Sequence, residues 1–197
     1  MKNSEIKNAI ILKTDRHKEN DMRLVLLSSD GIGIVYATGA LKSTAKLKGA
    51  LQLFNHCEFT ITGARVTGAH VIDNNLGITR EIHRFYLAGM ISDAVYGAIR
   101  NFDDDVSEIF ELVIQTYSYM ANNETSALKL FIWFFAYLLV LLGYDVEEEI
   151  DSFRCDIKEL DNVELSLSNA KRIMREIEKA YLQHLDLILE SSKLFLL

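Results

Sequence analysis

Proline is absent from all 197 residues, cysteine occurs twice, and no acidic residue lies between Gly31 and Cys57. Without proline, the turns fall to Gly, Asn, Asp and Ser. Cys57 and Cys155 stand far apart, so neither a disulfide framework nor a zinc knuckle can be assembled within one chain, and a reducing cytoplasm is the expected compartment. Long hydrophobic runs are missing too. The longest, Leu130 to Tyr144, has 15 residues; that is short of the roughly 17–25 that span a bilayer, and Ala9-Ile10-Ile11-Leu12 is too short for a signal-peptide core. No membrane partner is expected, and the apolar run reads as a buried central helix.

Catalytic signatures are equally scarce. Asp30-Gly31-Ile32-Gly33 is a turn that matches neither a phosphate loop nor a dinucleotide fingerprint. His17, His56, His70, His83 and His184 are scattered, and the adjacent pair His56-Cys57 points to opposite faces of a strand, so it makes no half of a metal site. Asp103-Asp104-Asp105 and Glu147-Glu148-Glu149 read as a helix start and a solvated face, because contiguous acids lack the spaced oxygen ligands of a cation loop. No nucleophile with a base and an orienting group can be named. An enzyme, a metal site and a cofactor are therefore not expected.

What is present is a charge asymmetry. Residues 1–72 carry ten Lys/Arg against six Asp/Glu, and residues 73–197 carry eleven against twenty-two; the resulting +4 and −11 sum to the net −7. The acid-free stretch contains Gly39-Ala40-Leu41-Lys42-Ser43-Thr44-Ala45-Lys46-Leu47-Lys48-Gly49, three lysines in a loop between apolar runs. A cationic loop held between strands suits a polyanion. Lys42, Lys46 and Lys48 are the expected phosphate contacts, with Lys13, Arg16, Lys18 and Arg23 as a flanking strip. Phe54 lies in an apolar neighbourhood and reads as core before it reads as a base-stacking ring.

The spacing of apolar residues divides the chain near residue 75. Ile6–Thr14, Met22–Ser28, Ile32–Thr38, Cys57–Thr62 and Arg65–Ile72 are short, β-branched and separated by glycine, which predicts five strands in a small antiparallel barrel or sandwich. After Asp73-Asn74-Asn75 the period becomes helical. One helix contains Ile82 to Val95 and a second Val106 to Tyr117, while a third runs from Thr125 or Ser126 to Leu142, with Gly143 as its cap. Residues 145–167 are weakly patterned. Ser168 reads as the N-cap of a last helical pair, 169–182 and 183–197, continuous through His184.

The order of features resembles the bacterial recombination and repair family RecO. The resemblance rests on Ala9-Ile10-Ile11-Leu12-Lys13-Thr14, Glu19 to Leu27, Asp30-Gly31-Ile32-Gly33, the glycine-basic loop, Gly49 to Phe54 and Glu58-Phe59, with Leu142-Gly143-Tyr144 further on. It departs from the family where Thr38 and Leu41 replace expected basic residues. It departs again at Cys155, which stands without the usual cysteine cluster, so the chain resembles a short form and no zinc is implied. The resemblance implies an α+β architecture, an OB-fold β-barrel over 1–75 followed by an all-α domain over 76–197. It also implies a recombination mediator that binds single- and double-stranded DNA, anneals strands and works with RecR. Such a protein helps load recombinase onto strands covered by single-strand-binding protein, in the cytoplasm at the nucleoid. The acidic tail of single-strand-binding protein would meet a groove in the helical domain near Arg80, Arg84 and Arg100, or near Lys171, Arg172 and Arg175. The alternative is an adaptor whose barrel and bundle bind other proteins and no DNA; fold does not decide between them.

Overall fold

The computed structural model describes residues 4–100, 105–146, 150 and 153–189. Two compact units emerge: Met1–Asn75 with Ile99–Ile114, and Leu76–Ala98 with Gln115–Leu197.

In the first unit five strands close into a barrel: β1 (Ser4–His17), β2 (Asp21–Ser28), β3 (Gly31–Ala37), β4 (His56–Thr62) and β5 (Arg65–Asp73), in the order β1-β2-β3-β5-β4. This is the OB-type arrangement expected for the N-terminal part. β1 is long enough to pair with β2 along one half and β4 along the other, and its register shifts between Ile11 and Lys13. The shift is a bulge that re-aims side chains and bends the strand so that a small barrel can close. At the bend, Ile11 N–H donates to Asn55 O and its carbonyl accepts from Phe54 N–H. Closure between β3 and β5 is parallel and rests on one paired position, Tyr36 with Arg65, beside a bond from Tyr36 N–H to Ala64 O.

The barrel interior follows period-2 alternation: Ala9 and Ile11, Leu24 and Leu26, Val35 and Ala37, Cys57, Phe59 and Ile61, and Val66 form one buried cluster. Phe54 is also buried, at 2% exposure, so it cannot stack on a base. Ile10, Leu12, Val25 and Leu27 are buried as well without belonging to that cluster. They form a second apolar layer. Within the same unit Val106 and Phe110 are buried, and the Phe110 ring meets His56 edge-on at 6.1 Å.

His56 and Cys57 illustrate the two faces of one strand. Cys57 is fully buried, and desolvation pushes its thiol up to about 11, which excludes a thiolate nucleophile. His56 points the other way and bonds to Asn8 Oδ1. Burial lowers its pKa, while Asp73 and Glu111 pull weakly in the opposite direction. Because the folded value lies below the unfolded one of about 6.5, the unfolded chain binds more protons in that window. Stability from this group is therefore complete above pH 7 and declines as pH falls through the lowered value. Urea unfolding at pH 7.5 and 5.5 should show a larger loss for the wild type than for His56→Gln; equal losses would mean that His56 does not titrate between them.

In the second unit, a 3-10 turn (Leu76–Arg80) leads into α1 (Ile82–Ile99), followed by α2 (Ser107–Asn122), α3 (Ala127–Leu141), a second 3-10 turn (Ile157–Asn162) and α4 (Leu167–Leu185); the first residues of α2 fall in the first unit. The core is α3, where Leu130 to Ala136, Leu138 and Leu139 are all buried. Its aromatic rings are used internally. Phe131 and Phe135 lie 4.5 Å apart, Tyr181 of α4 meets Phe135 edge-on at 5.2 Å, and Trp133 Nε1–H and Tyr137 O–H both donate to Cys155 O. Gly143 takes a left-handed conformation, φ 84°, just past the end of α3, as its cap role requires.

Three expectations change here. The last helix is capped by Ser166, not Ser168, because Ser166 Oγ is the atom that accepts Asn169 N–H at 3.2 Å. That helix passes through His184 but stops at Leu185, where Asp186 turns left-handed at φ 53°; residues 190–197 lie outside the described residues. The weakly patterned 145–167 segment contains the second 3-10 turn, held by Ile157 and Leu160 in the core and by Asp156 accepting Lys158 N–H. Asp105 accepts Ser107 N–H at the start of α2, whereas Asp103, Asp104 and Glu147 to Glu149 lie outside the described residues.

Candidate nucleic-acid interface

The β3–β4 connection, residues 38–55, is a succession of tight turns: Lys42 N–H donates to Gly39 O, Ala45 N–H to Lys42 O, Lys48 N–H to Ala45 O and Ala50 N–H to Leu47 O. Its apolar side chains fix it. Ala40, Ala50 and Leu51 belong to the barrel core, and Leu47 and Leu53 pack against it. Asn55, at 1% exposure, crosses back with its Nδ2–H to the carbonyls of Gly49 and Ala50. Small and branched residues thus point inward while Lys42, Lys46 and Lys48 point out, all three exposed. None of them makes an ion pair among the described residues. Three exposed cations, on a loop already ordered by its apolar anchors, suit the phosphates of a polyanion.

The loop is tied to the β1–β2 turn. Gly39, at φ 69°, donates its N–H to Asp21 Oδ1 at 2.8 Å, and Leu41 N–H donates to Asn20 O. This brings Lys42 to the end of the barrel that carries Arg16 and Lys18. The flanking strip, however, splits in two. Past the bulge, Lys13 pairs with Val25, Asp15 with Arg23 and Arg16 with Met22; Met22 packs on the core, so Arg16 stands on the opposite face from Lys13 and Arg23. Arg16 folds over the turn and donates to Glu19 O, and Lys18 is exposed at φ 54°. Arg23 is neutralised by Asp15 at 2.8 Å. The uncompensated cations therefore concentrate at the loop and the turn.

The residues singled out as cations for a protein partner fall at different places, and Arg100 belongs to the first unit. Arg80 is exposed in the first 3-10 turn, Arg100 is exposed just beyond α1, and only Arg84 lies in α1. Arg84 is 8% exposed and donates Nη1–H to Met120 O, with Glu81 3.1 Å from its Nε, so it holds the end of α2 and is not a surface cation. Arg80 and Arg84 line a cleft of about 230 Å³ with Glu81 and Glu124. Lys171, Arg172 and Arg175 are exposed together on α4. Phe131, Trp133, Phe134 and Phe135 of α3 are buried in the core and Tyr137 is half-buried. Among the described residues no group of three or more His, Cys, Asp or Glu is placed to hold a metal, and no helix is long and apolar enough to cross a membrane.

Residues 1–73 match the family model for the N-terminal domain of recombination protein O. The match covers the barrel and the whole basic loop. No curated protein matches the chain.

Proposed function

We propose, from the similarity of its barrel to the N-terminal domain of recombination protein O, that the chain acts in recombination and DNA repair as a DNA-binding recombination mediator without enzymatic activity. It holds single strands and duplexes by phosphate contacts, anneals complementary strands and helps load recombinase onto strands covered by single-strand-binding protein, alongside a RecR-like partner. The observation that supports this reading is the core-anchored loop presenting Lys42, Lys46 and Lys48, exposed and without ion-pair partners among the described residues. Charge contacts of this kind hold every sequence alike, which suits a mediator. The acidic tail of single-strand-binding protein is assigned to the exposed Lys171, Arg172 and Arg175 of α4. Work of this kind places the protein at the nucleoid.

A protein adaptor is the competing reading, and salt separates the two. DNA binding driven by counterion release falls linearly in log–log form as salt rises, whereas an apolar protein interface barely responds. Titration of a fluorescent oligonucleotide at 50 and 200 mM salt should show a steep decline in affinity. Absence of binding at the lower salt would leave the adaptor.

A further inference from the structure

A strand-binding surface made only of lysines does not distinguish a single strand from a duplex, and the buried Phe54 supplies no ring for bases. Another aromatic is placed for that task. Across the outer face of the barrel, register aligns Asp15 with Arg23, Arg23 with Tyr36 and Tyr36 with Arg65. Leu24, Val35, Ala37 and Val66, their chain neighbours, all point into the core, so Arg23, Tyr36 and Arg65 share the outward face. Tyr36 is half-buried, and the His17 ring lies against it with centroids 4.7 Å apart and planes tilted by 51°. Asp15 neutralises Arg23, while Arg65 is exposed and makes no ion pair among the described residues. Tyr36 also stands two residues before Thr38, at the foot of the lysine loop, whose Gly39 and Leu41 are bonded to the adjoining turn.

We propose that Tyr36, backed by His17 and flanked by Arg65, is the base-stacking platform of this interface and gives it preference for single strands. This rests on the DNA-binding reading above. Unpaired bases present a π-face to a ring, whereas bases in a duplex are already stacked on each other, so the contact adds affinity for single strands alone. A neutral ring releases no counterions. Its removal therefore lowers affinity without changing the salt slope, unlike removal of a lysine.

The test compares wild type, Tyr36→Ala, Tyr36→Leu and Tyr36→Trp, each checked for its melting transition, on a single-stranded oligonucleotide carrying 2-aminopurine and on a duplex of the same sequence. Tyr36→Ala and Tyr36→Leu should lose roughly five- to hundredfold in single-strand affinity, keep duplex affinity and the salt slope, and lose the quenching of 2-aminopurine; Tyr36→Trp should keep all four. Leu preserves apolar packing against His17, so it decides the question if Ala disturbs the barrel. Equal losses on both substrates, or unchanged single-strand affinity and quenching in Tyr36→Leu, would overturn the assignment while salt-dependent binding by the wild type left the proposed function standing. A wild type that binds no DNA would remove both.

Discussion

Replacing Lys42, Lys46 and Lys48 together by Glu should leave the protein folded and lower its affinity for single strands by about two decades at 0.1 M salt. The size follows from counterion release: each phosphate contact contributes about 0.7 to the log–log salt slope on single strands and about 0.9 on duplex DNA, so three contacts make up two to three decades between 0.1 and 1 M salt. Charge reversal adds repulsion to that loss, and the slope itself should flatten by about two units on single strands. Folding survives because the three side chains are exposed, while the loop is held by Ala40, Ala50 and Leu51 in the core and by Asn55 beneath it. Both substrates should suffer, since phosphates are common to them. A folded triple variant with wild-type affinity and slope would remove the loop from the interface.

The largest effect on stability is expected at Gly77. It lies in the 3-10 turn that precedes α1, and a Cβ built there would stand 2.6 Å from the carbonyl carbon of Ala121, 2.8 Å from its Cα and closer still to its oxygen. These are backbone atoms of α2 and cannot rotate away as a side-chain tip would. Gly77→Ala must therefore push the turn off α2, and the displacement strains the bond from Arg84 Nη1–H to Met120 O beside it. Overpacking of a core commonly costs 1–3 kcal/mol; with unyielding backbone in the way, a loss of about 3 kcal/mol is expected from denaturant unfolding. Gly97→Ala is the control. There the nearest atoms belong to the flexible side chain of Leu187, so the loss should be clearly smaller, and equal losses at the two glycines would contradict the geometry.

The regular elements were legible because their side chains obey one period at a time. Alternation in Cys57-Glu58-Phe59-Thr60-Ile61-Thr62 marks β4, and the all-round apolar run from Leu130 marks a helix that other helices cover, as α3 is. Features that break a period were not legible. The bulge between Ile11 and Lys13 exchanges the faces of every later residue of β1, so Lys13 turns to the face of Val25 and Arg23 while Arg16 turns to the face of Met22. The loop's basic character was plain, but its anchoring was hidden, because Ala40, Ala50 and Leu51 follow neither period and find the core only through the fold. Phe110 and its neighbours read as one helix face and gave no sign that half of α2 would pack with the barrel. Tyr36 was overlooked for a similar reason: its setting depends on pairing with Arg65, 29 positions later, through a contact that no local window contains.

That same pairing has a consequence for the order in which the barrel is built. β2 and β3 follow β1 through short turns, and β4 and β5 are joined by Gly63 and Ala64, so the three-stranded meander and the hairpin are local units with little loop entropy to overcome. Their union along β1 and β4 is long and strongly paired, from Ser4 with Thr62 to Ile10 with His56. The seam between β3 and β5, with one bridge, offers too little to nucleate anything. It is expected to close after the others and to be the first line along which the barrel opens, which amide exchange at Tyr36 would read.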